Sequence, residues 1–537
     1  MWKTPEAKEV IERLARASLV AVVLSVISTL IESVAGVGTR VRLVDLTGVL
    51  LERPFWILIL GFWAAFVWKR LRAISWAEAI EAVIFCAPIA LLVPAINVLI
   101  AWVGLEASVP AFVNTLEVPV SILTFGWLPR SLASAGTLSL ILVGAGVFIG
   151  QGWRAKIAPK RLALAAVVWC VGTIGLLLIP SLIAWVIVSA DASPLNAGPN
   201  VLARSWVAFS QEGYWWRSIV ERFPGVLEGE AEASVRLLQI VSVWLGALGV
   251  GILLLRRHAA FSLRQLVLRL KPVRGASFFA AAFFGAWIGR MFGGFFFVRA
   301  IDLLAWVLFL VTLGAVWMVH VWRNNLHDAV SDQGRGSESS EFAQLDPSVG
   351  AWLGRASVLV AGVSSWLLGW PVFLCLLAFL LLQEVLATPV LRWKARLVGG
   401  PVLALGMASA VAAGIFFTLR TAAVPLLPAH IWLSIAVFYF FQALPKAFRW
   451  SPTLLSWVAT TLHVSPRILI PVVLAISFLS FPLLSGWTVL WWIALPCAIV
   501  ALLPLLGGGR WEERKIIGWQ IAFILIAFLL LAVHPSP

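Results

Sequence analysis

At 537 residues the chain would ordinarily hold several soluble domains, but 61% hydrophobic residues against 12% charged, with a positive mean hydropathy, exclude that class and indicate an all-α integral membrane protein. The net charge of +15 suggests a nucleic-acid partner, yet Lys and Arg fall in short clusters between apolar runs and form no single basic arm or face, so none is expected. Cys86, Cys170, Cys375 and Cys497 all lie in apolar segments without metal-ligand spacing and read as small core residues.

In chain order, Met1 to Ala17 mixes acids and bases and leads into about twenty apolar residues with no short h-region or cleavage site, which predicts a retained span. Apolar runs able to cross or nearly cross a ~30 Å hydrocarbon core recur from there on. About fifteen are predicted. The first six cover 17–36, 53–68, 80–104, 134–152, 163–189 and 236–255. The later nine cover 276–293, 299–322, 355–369, 371–386, 398–418, 430–445, 466–483, 485–506 and 515–533, with the break at Gly369 to Pro371 deciding between one long helix and two short ones. Trp322, Trp393, Trp450 and Trp511 fall near predicted borders, as interfacial anchors do.

Cytoplasmic loops carry the excess of Lys and Arg. With the N-terminus inside, the loops holding Lys69, Arg70 and Arg72, then Arg154 to Arg161, then Arg256 to Arg274, are cytoplasmic, as are those around Arg392, Lys446 and Arg510. The acid-rich loop from Asp191 to Arg236 falls outside. The segment 256–275 is a basic cytoplasmic linker, or an interfacial helix resting on anionic membrane lipids, between a six-span domain at 1–255 and a second membrane domain at 276–537.

The informative stretch is Asn324-Asn325-Leu326-His327-Asp328-Ala329-Val330-Ser331-Asp332, where the apolar run from Leu303 to Trp322 ends. In a helix, positions i, i+4 and i+8 drift by only about 40° per step, so Asn324, Asp328 and Asp332 form a narrow polar stripe. Carboxylates gathered at a helix C-terminus, itself partially negative, call for a cation. Mg²⁺ is the natural choice, because it takes oxygen ligands and bridges carboxylates to phosphates.

This segment resembles the first aspartate-rich motif of the UbiA superfamily of intramembrane prenyltransferases, N-D/Q-x-x-D-x-x-x-D. Pro389-Val390-Leu391-Arg392-Trp393-Lys394, followed by Gly399-Gly400-Pro401, resembles that family's Pro-Pro-x-Arg-x-Lys loop. Leu270-Lys271-Pro272-Val273-Arg274 is similar to its Arg-Pro approach to the first helix. The resemblance covers residues from about 262 to 537 and implies a nine-helix UbiA-like bundle behind the six-helix domain. It also implies Mg²⁺ held by Asn324, Asp328 and Asp332, with Asp328 and Asp332 catalytic, on the diphosphate of a polyprenyl donor. Asn325, Arg392 and Lys394 would bind that substrate, an acceptor would be alkylated, aromatic acceptors included, and the mouth of the site would be cytoplasmic.

The family's second acidic motif has no counterpart in the loop from Gln442 to Trp450, where Lys446 and Arg449 stand instead. Either these cations contact phosphate directly or they are orientation charges. Leu386-Ala387 replaces the family's Tyr-Ser, and no Arg-Pro-Leu element follows the first motif. Two functions therefore stand side by side, a prenyltransferase-like enzyme and a catalytically degenerate binder or carrier of isoprenoid (di)phosphates. A transporter, with ionisable residues in mid-span, fits less well.

Overall fold

In the computed structural model the chain is described at residues 5–34, 53–102, 135–191, 244–246, 248–250, 253, 272–292, 300–332, 347–388, 398–419, 427–507, 518–519, 521–524 and 526–527, and no strand occurs among them. A helix satisfies its own backbone N–H and C=O groups where lipid offers no water, which is why such a chain is helical. It divides into two compact units, Met1–Ser262 with Arg299–Ile301, and Leu263–Val298 with Asp302–Pro537.

The first unit contains α1 (Pro5–Val34), α2 (Arg53–Arg72), α3 (Trp76–Cys86), a 3-10 turn (Ala87–Leu91), α4 (Leu92–Trp102), α5 (Ala135–Arg154) and α6 (Pro159–Asp191). The start of α3 is fixed by a reciprocal capping box: the Ser75 hydroxyl accepts from the Glu78 N–H at 3.2 Å, and the Glu78 carboxylate accepts from the Ser75 N–H at 3.0 Å. Trp68, Trp76, Phe148 and Trp169 are buried together in the core of this unit. Trp169 donates its indole N–H to the Ile141 carbonyl at 2.9 Å, and its ring fills the space beside Gly144 as Trp63 does beside Gly172. These tryptophans thus serve as internal packing, a use that border anchoring does not cover.

The second unit contains α7 (Pro272–Met291), α8 (Ala300–Asp332), α9 (Pro347–Leu367), α10 (Trp370–Ala387), α11 (Gly399–Leu419), α12 (Ala429–Trp450), α13 (Pro452–Thr461), α14 (Pro466–Ser485), a 3-10 turn (Thr488–Leu490) and α15 (Trp491–Gly507).

The expectation of about fifteen spans, six and then nine, is corrected. Among the described residues, seven helical stretches are long and apolar enough to cross a membrane: Pro54–Arg72, Trp76–Ile96, Pro159–Leu176, Ala305–Asn324, Gly399–Leu419, Ala429–Phe448 and Arg467–Ser485. They still make this a multi-pass integral membrane protein. Pro371–Ala387 and Thr488–Leu503 are apolar but shorter, the first bounded by Gly369 and Thr388 and the second beginning in a 3-10 turn. The runs in α7 and α9 fall short for a different reason. They are diluted by Gly, Ser and charged residues such as Arg274 and Arg290 in α7 and Arg355 in α9, and such residues contribute little or negative transfer free energy to lipid. The expected spans at 236–255 and 515–533, and the interfacial helix before Pro272, lie largely outside the described residues.

Lipid tails are as apolar as Leu, so helices in a membrane associate through close packing and hydrogen bonds more than through the hydrophobic effect. α7 and α11 use small residues for this. A Cβ at Gly285 would overlap the backbone of Val411, one at Gly414 the backbone of Ala282 and Ala286, and one at Gly289 the Thr418 hydroxyl. The gap closed by these glycines lets Thr418 donate to the Ala286 carbonyl across the interface at 3.0 Å. α8 runs buried beside this pair, with Phe309 stacked on Phe417 at 4.2 Å and Trp306 on Phe283 at 5.4 Å. α12 is tied to α14 by the Gln442 amide, which donates to the Ser477 hydroxyl at 2.6 Å in a buried position.

Candidate functional site

α8 continues without interruption from its buried middle through Asp332, so the backbone on which the Asn324, Asp328 and Asp332 stripe depends is helical to its end. The side chains of Asn325, Asp328 and Asp332 lie outside the described set, as do Arg392 and Lys394. Among the described residues no group of three or more His, Cys, Asp or Glu side chains is placed to hold a metal ion.

The lower part of α8 is joined to α10 by a contact that sequence reading missed. Arg323, one residue before the stripe, donates through Nε at 3.1 Å and Nη2 at 2.6 Å to the two carboxylate oxygens of Glu384 on α10. The Glu384 carbonyl also accepts the N–H and hydroxyl of Thr388, which terminate α10 at 2.9 and 2.8 Å. Trp322 packs over Gly354 of α9, and His320 lies in an aromatic wall between Trp317 at 5.0 Å and Phe379 at 5.9 Å. A lone acid in the apolar run of α10 was the available signal, since an ionisable residue there calls for a partner. The fork–fork geometry is specific, but Arg323 is 45% exposed, so solvent screening keeps the pair modest. A double-mutant cycle of Arg323→Gln and Glu384→Gln is expected to give a coupling of about 0.5–1 kcal/mol in thermal unfolding of the detergent-solubilised protein.

The basic end of α12 is partly resolved into a site. Lys446 lines a narrow, partly open cavity of about 440 Å³, mouth included, together with Ser277 of α7, Met407 of α11, and Phe438, Tyr439 and Gln442 of α12. Ile521 and Ile524, from helical residues 521–524, close it on another side. Arg449 lies on the same helix, one turn further on, and its side chain falls outside the described set. Pro445, inside α12, has no N–H to give the Phe441 carbonyl, which loosens the backbone ladder beside the cavity. Sequence reading singled out Lys446 but not Tyr439, Gln442 or Ser277. The missed signal was their spacing: Tyr439, Gln442 and Lys446 stand at i, i+3 and i+7 in an otherwise apolar helix.

No family model matches the chain, and no curated protein matches it. Two solved structures are similar to part of it. The structure of a UbiA homolog from Archaeoglobus fulgidus is 19% identical with a TM-score of 0.28, covering 50% of this chain and 86% of that one. The same homolog bound to DMAPP and Mg²⁺ is 18% identical with a TM-score of 0.27, over the same shares. The chain is distantly similar to a UbiA homolog. Likeness at this level carries no argument about activity, which rests on the residues themselves.

Proposed function

We propose that the second unit handles a polyprenyl diphosphate as a prenyltransferase-like enzyme, with the polar stripe at the end of α8 as the headgroup site. The observation that carries this reading is the unbroken helix through Asp332, which keeps Asn324, Asp328 and Asp332 on one face. Their donor set, two carboxylates and an amide carbonyl, fits Mg²⁺, which prefers hard oxygen ligands. When bound, the ion would neutralise the diphosphate leaving group. The residues do the remaining work: Asp328 and Asp332 hold negative charge where the cation is needed, and Asn325, Arg392, Lys394, Lys446 and Arg449 supply positive charge or donors to phosphate oxygens. The Arg323–Glu384 pair steadies the last turns of α8 against α10. The N-terminus and the mouth of this site are proposed to face the cytoplasm, with an aromatic compound as the first acceptor to try.

A second reading, a binder or carrier of isoprenoid (di)phosphates, is favoured by one feature, the absence of any acid among the described residues that line the Lys446 cavity. The two readings separate in one assay. Purified protein in nanodiscs, given labelled geranylgeranyl diphosphate and a pool of aromatic acceptors, is expected to release pyrophosphate with Mg²⁺ and to stop in EDTA. Donor binding without release under either condition would overturn the enzyme reading in favour of the carrier.

A further inference from the structure

Two pieces of chain far apart in sequence bring their cations to one end of the first unit. The last turn of α2 carries Lys69, Arg70 and Arg72. The turn from α5 to α6 carries Arg154, Lys156, Lys160 and Arg161. α2 packs against α6 in the opposite direction, with Trp63 over Gly172 near one end of the contact and Leu71 beside Gly152 and Leu162 at the other. That meeting of Leu71 with the start and finish of the α5–α6 turn joins the two basic groups, and all of their cations but Lys69 are exposed.

Little neutralises them. Among the described residues no acid pairs with any of these cations. Of the described acids on neighbouring α1 and α3, Glu78 caps α3 and Glu9 and Glu81 both face Arg13, which leaves the exposed Glu12. Lys69, Arg70 and Arg72 lie over the rings of Trp76, Phe66 and Trp68, at 5.3, 5.5 and 5.6 Å. A ring face holds a cation in place without cancelling its charge, so these three are positioned and still open to an anion.

The depth of the cluster says which anion. α2 and α6 contain stretches long and apolar enough to cross a membrane, Pro54–Arg72 and Pro159–Leu176, and the cations stand at their adjoining ends, level with lipid headgroups. Trp153, 69% exposed, lies beside them, as an indole does at the lipid–water boundary. We infer that this end of the first unit binds the phosphate head of an anionic phospholipid, with the α2 cations on one side of it and those of the α5–α6 turn on the other. Lys and Arg clustered between membrane helices recognise such heads by charge, whereas charges that only set orientation need no convergence of two segments. The inference goes beyond the prenyl-transfer reading and does not rest on it, because every residue it uses belongs to the first unit.

The turn itself supplies a clean variant. Lys156 has a φ of 56° and closes α5: its N–H donates to the Trp153 carbonyl at 2.9 Å, and the Ile157 N–H donates to the Gly152 carbonyl at 3.0 Å. Glycine is the usual residue at such a position, so Lys156→Gly removes a cation and relieves the backbone at once.

Binding of radiolabelled phosphatidylglycerol to the full chain in neutral detergent, read by scintillation proximity, tests the site. Unlabelled phosphatidylglycerol should compete at least about tenfold better than phosphatidylcholine with the same acyl chains or inorganic phosphate, and about 1 M salt should weaken binding. Arg70→Gln with Arg72→Gln, and Lys160→Gln with Arg161→Gln, should each weaken it by about 10–50-fold, because the site has two sides. Arg355→Gln with Arg467→Gln, which removes as much charge from the second unit, should change it by less than about twofold. Lys156→Gly should weaken it by about 3–10-fold while the thermal midpoint holds or rises, a combination that a merely structural lysine would not give. Equal competition by phosphatidylcholine or by inorganic phosphate, an equal loss in the Arg355 and Arg467 double variant, or full binding in a folded form of either first-unit double variant would each overturn it.

Discussion

Asp328→Ala is expected to lower Mg²⁺-dependent pyrophosphate release by about 10²–10³-fold, the size of effect seen when one preorganised electrostatic group is removed from a transition state. The same substitution should leave the fold intact. Asp328 stands in the last turns of α8, where helix carbonyls already concentrate partial negative charge, so removing a carboxylate there relieves repulsion worth roughly 0.3–1 kcal/mol. Ala is also a better helix former than Asp. Activity and thermal midpoint should therefore move apart, rate down and stability level or slightly up. Asp332→Ala should behave alike, and Asp328→Asn, which keeps an oxygen ligand and loses the charge, should fall between. Unchanged release from a well-folded Asp328→Ala protein would remove the stripe from the chemistry altogether.

Replacing Gly414 or Gly285 by Ala should lower the thermal midpoint of the solubilised protein, and Gly414→Leu should prevent recovery of folded protein. A Cβ at either position meets carbonyl and amide groups of the facing helix, which are backbone and unable to rotate aside. Separating α7 from α11 would also stretch the Thr418 bond to Ala286 and shift Phe417, which stacks on α8. Overpacking of this kind costs about 1–3 kcal/mol or more, against up to ~1 kcal/mol gained from exchanging Gly for Ala in a helix. The net effect is destabilising. Gly314 on α8 and Gly362 on α9 supply the control, because nothing lies within 4 Å of a Cβ built at either. Gly314→Ala and Gly362→Ala should be neutral or stabilising, and a fall in midpoint as large as that of Gly414→Ala would refute the close-approach account.

Some of this was legible before any coordinates. The composition pointed to a helical membrane protein, and the four-residue spacing of Asn324, Asp328 and Asp332 needed only a continuous helix to become a stripe, which α8 provides. Lys446 was singled out as a cation standing where an acid was expected, and it does line a cavity. The number of spans was not legible in the same way. Counting apolar runs treats Ala, Gly and Ser as if they were Leu, and it ignores where a helix stops. Gly369 and Thr388 bound α10, and the 3-10 turn at Thr488–Leu490 delays α15. Each trims the apolar helix that follows or precedes it to less than a full span.

What the chain alone determined is local. Its hydropathy assigns it to the membrane, and the spacing of polar residues along one helix assigns them to one face, because both depend only on residues a few turns apart. The partner of Arg323, the approach of Gly285 to Val411 and the union of Ser277, Met407, Tyr439 and Lys446 around one cavity join residues from tens to well over a hundred positions apart. No periodicity encodes those meetings. They follow from which helix faces which, and in lipid that choice is made by shape and hydrogen bonding between helices, because an apolar surface gains little by turning from lipid to protein.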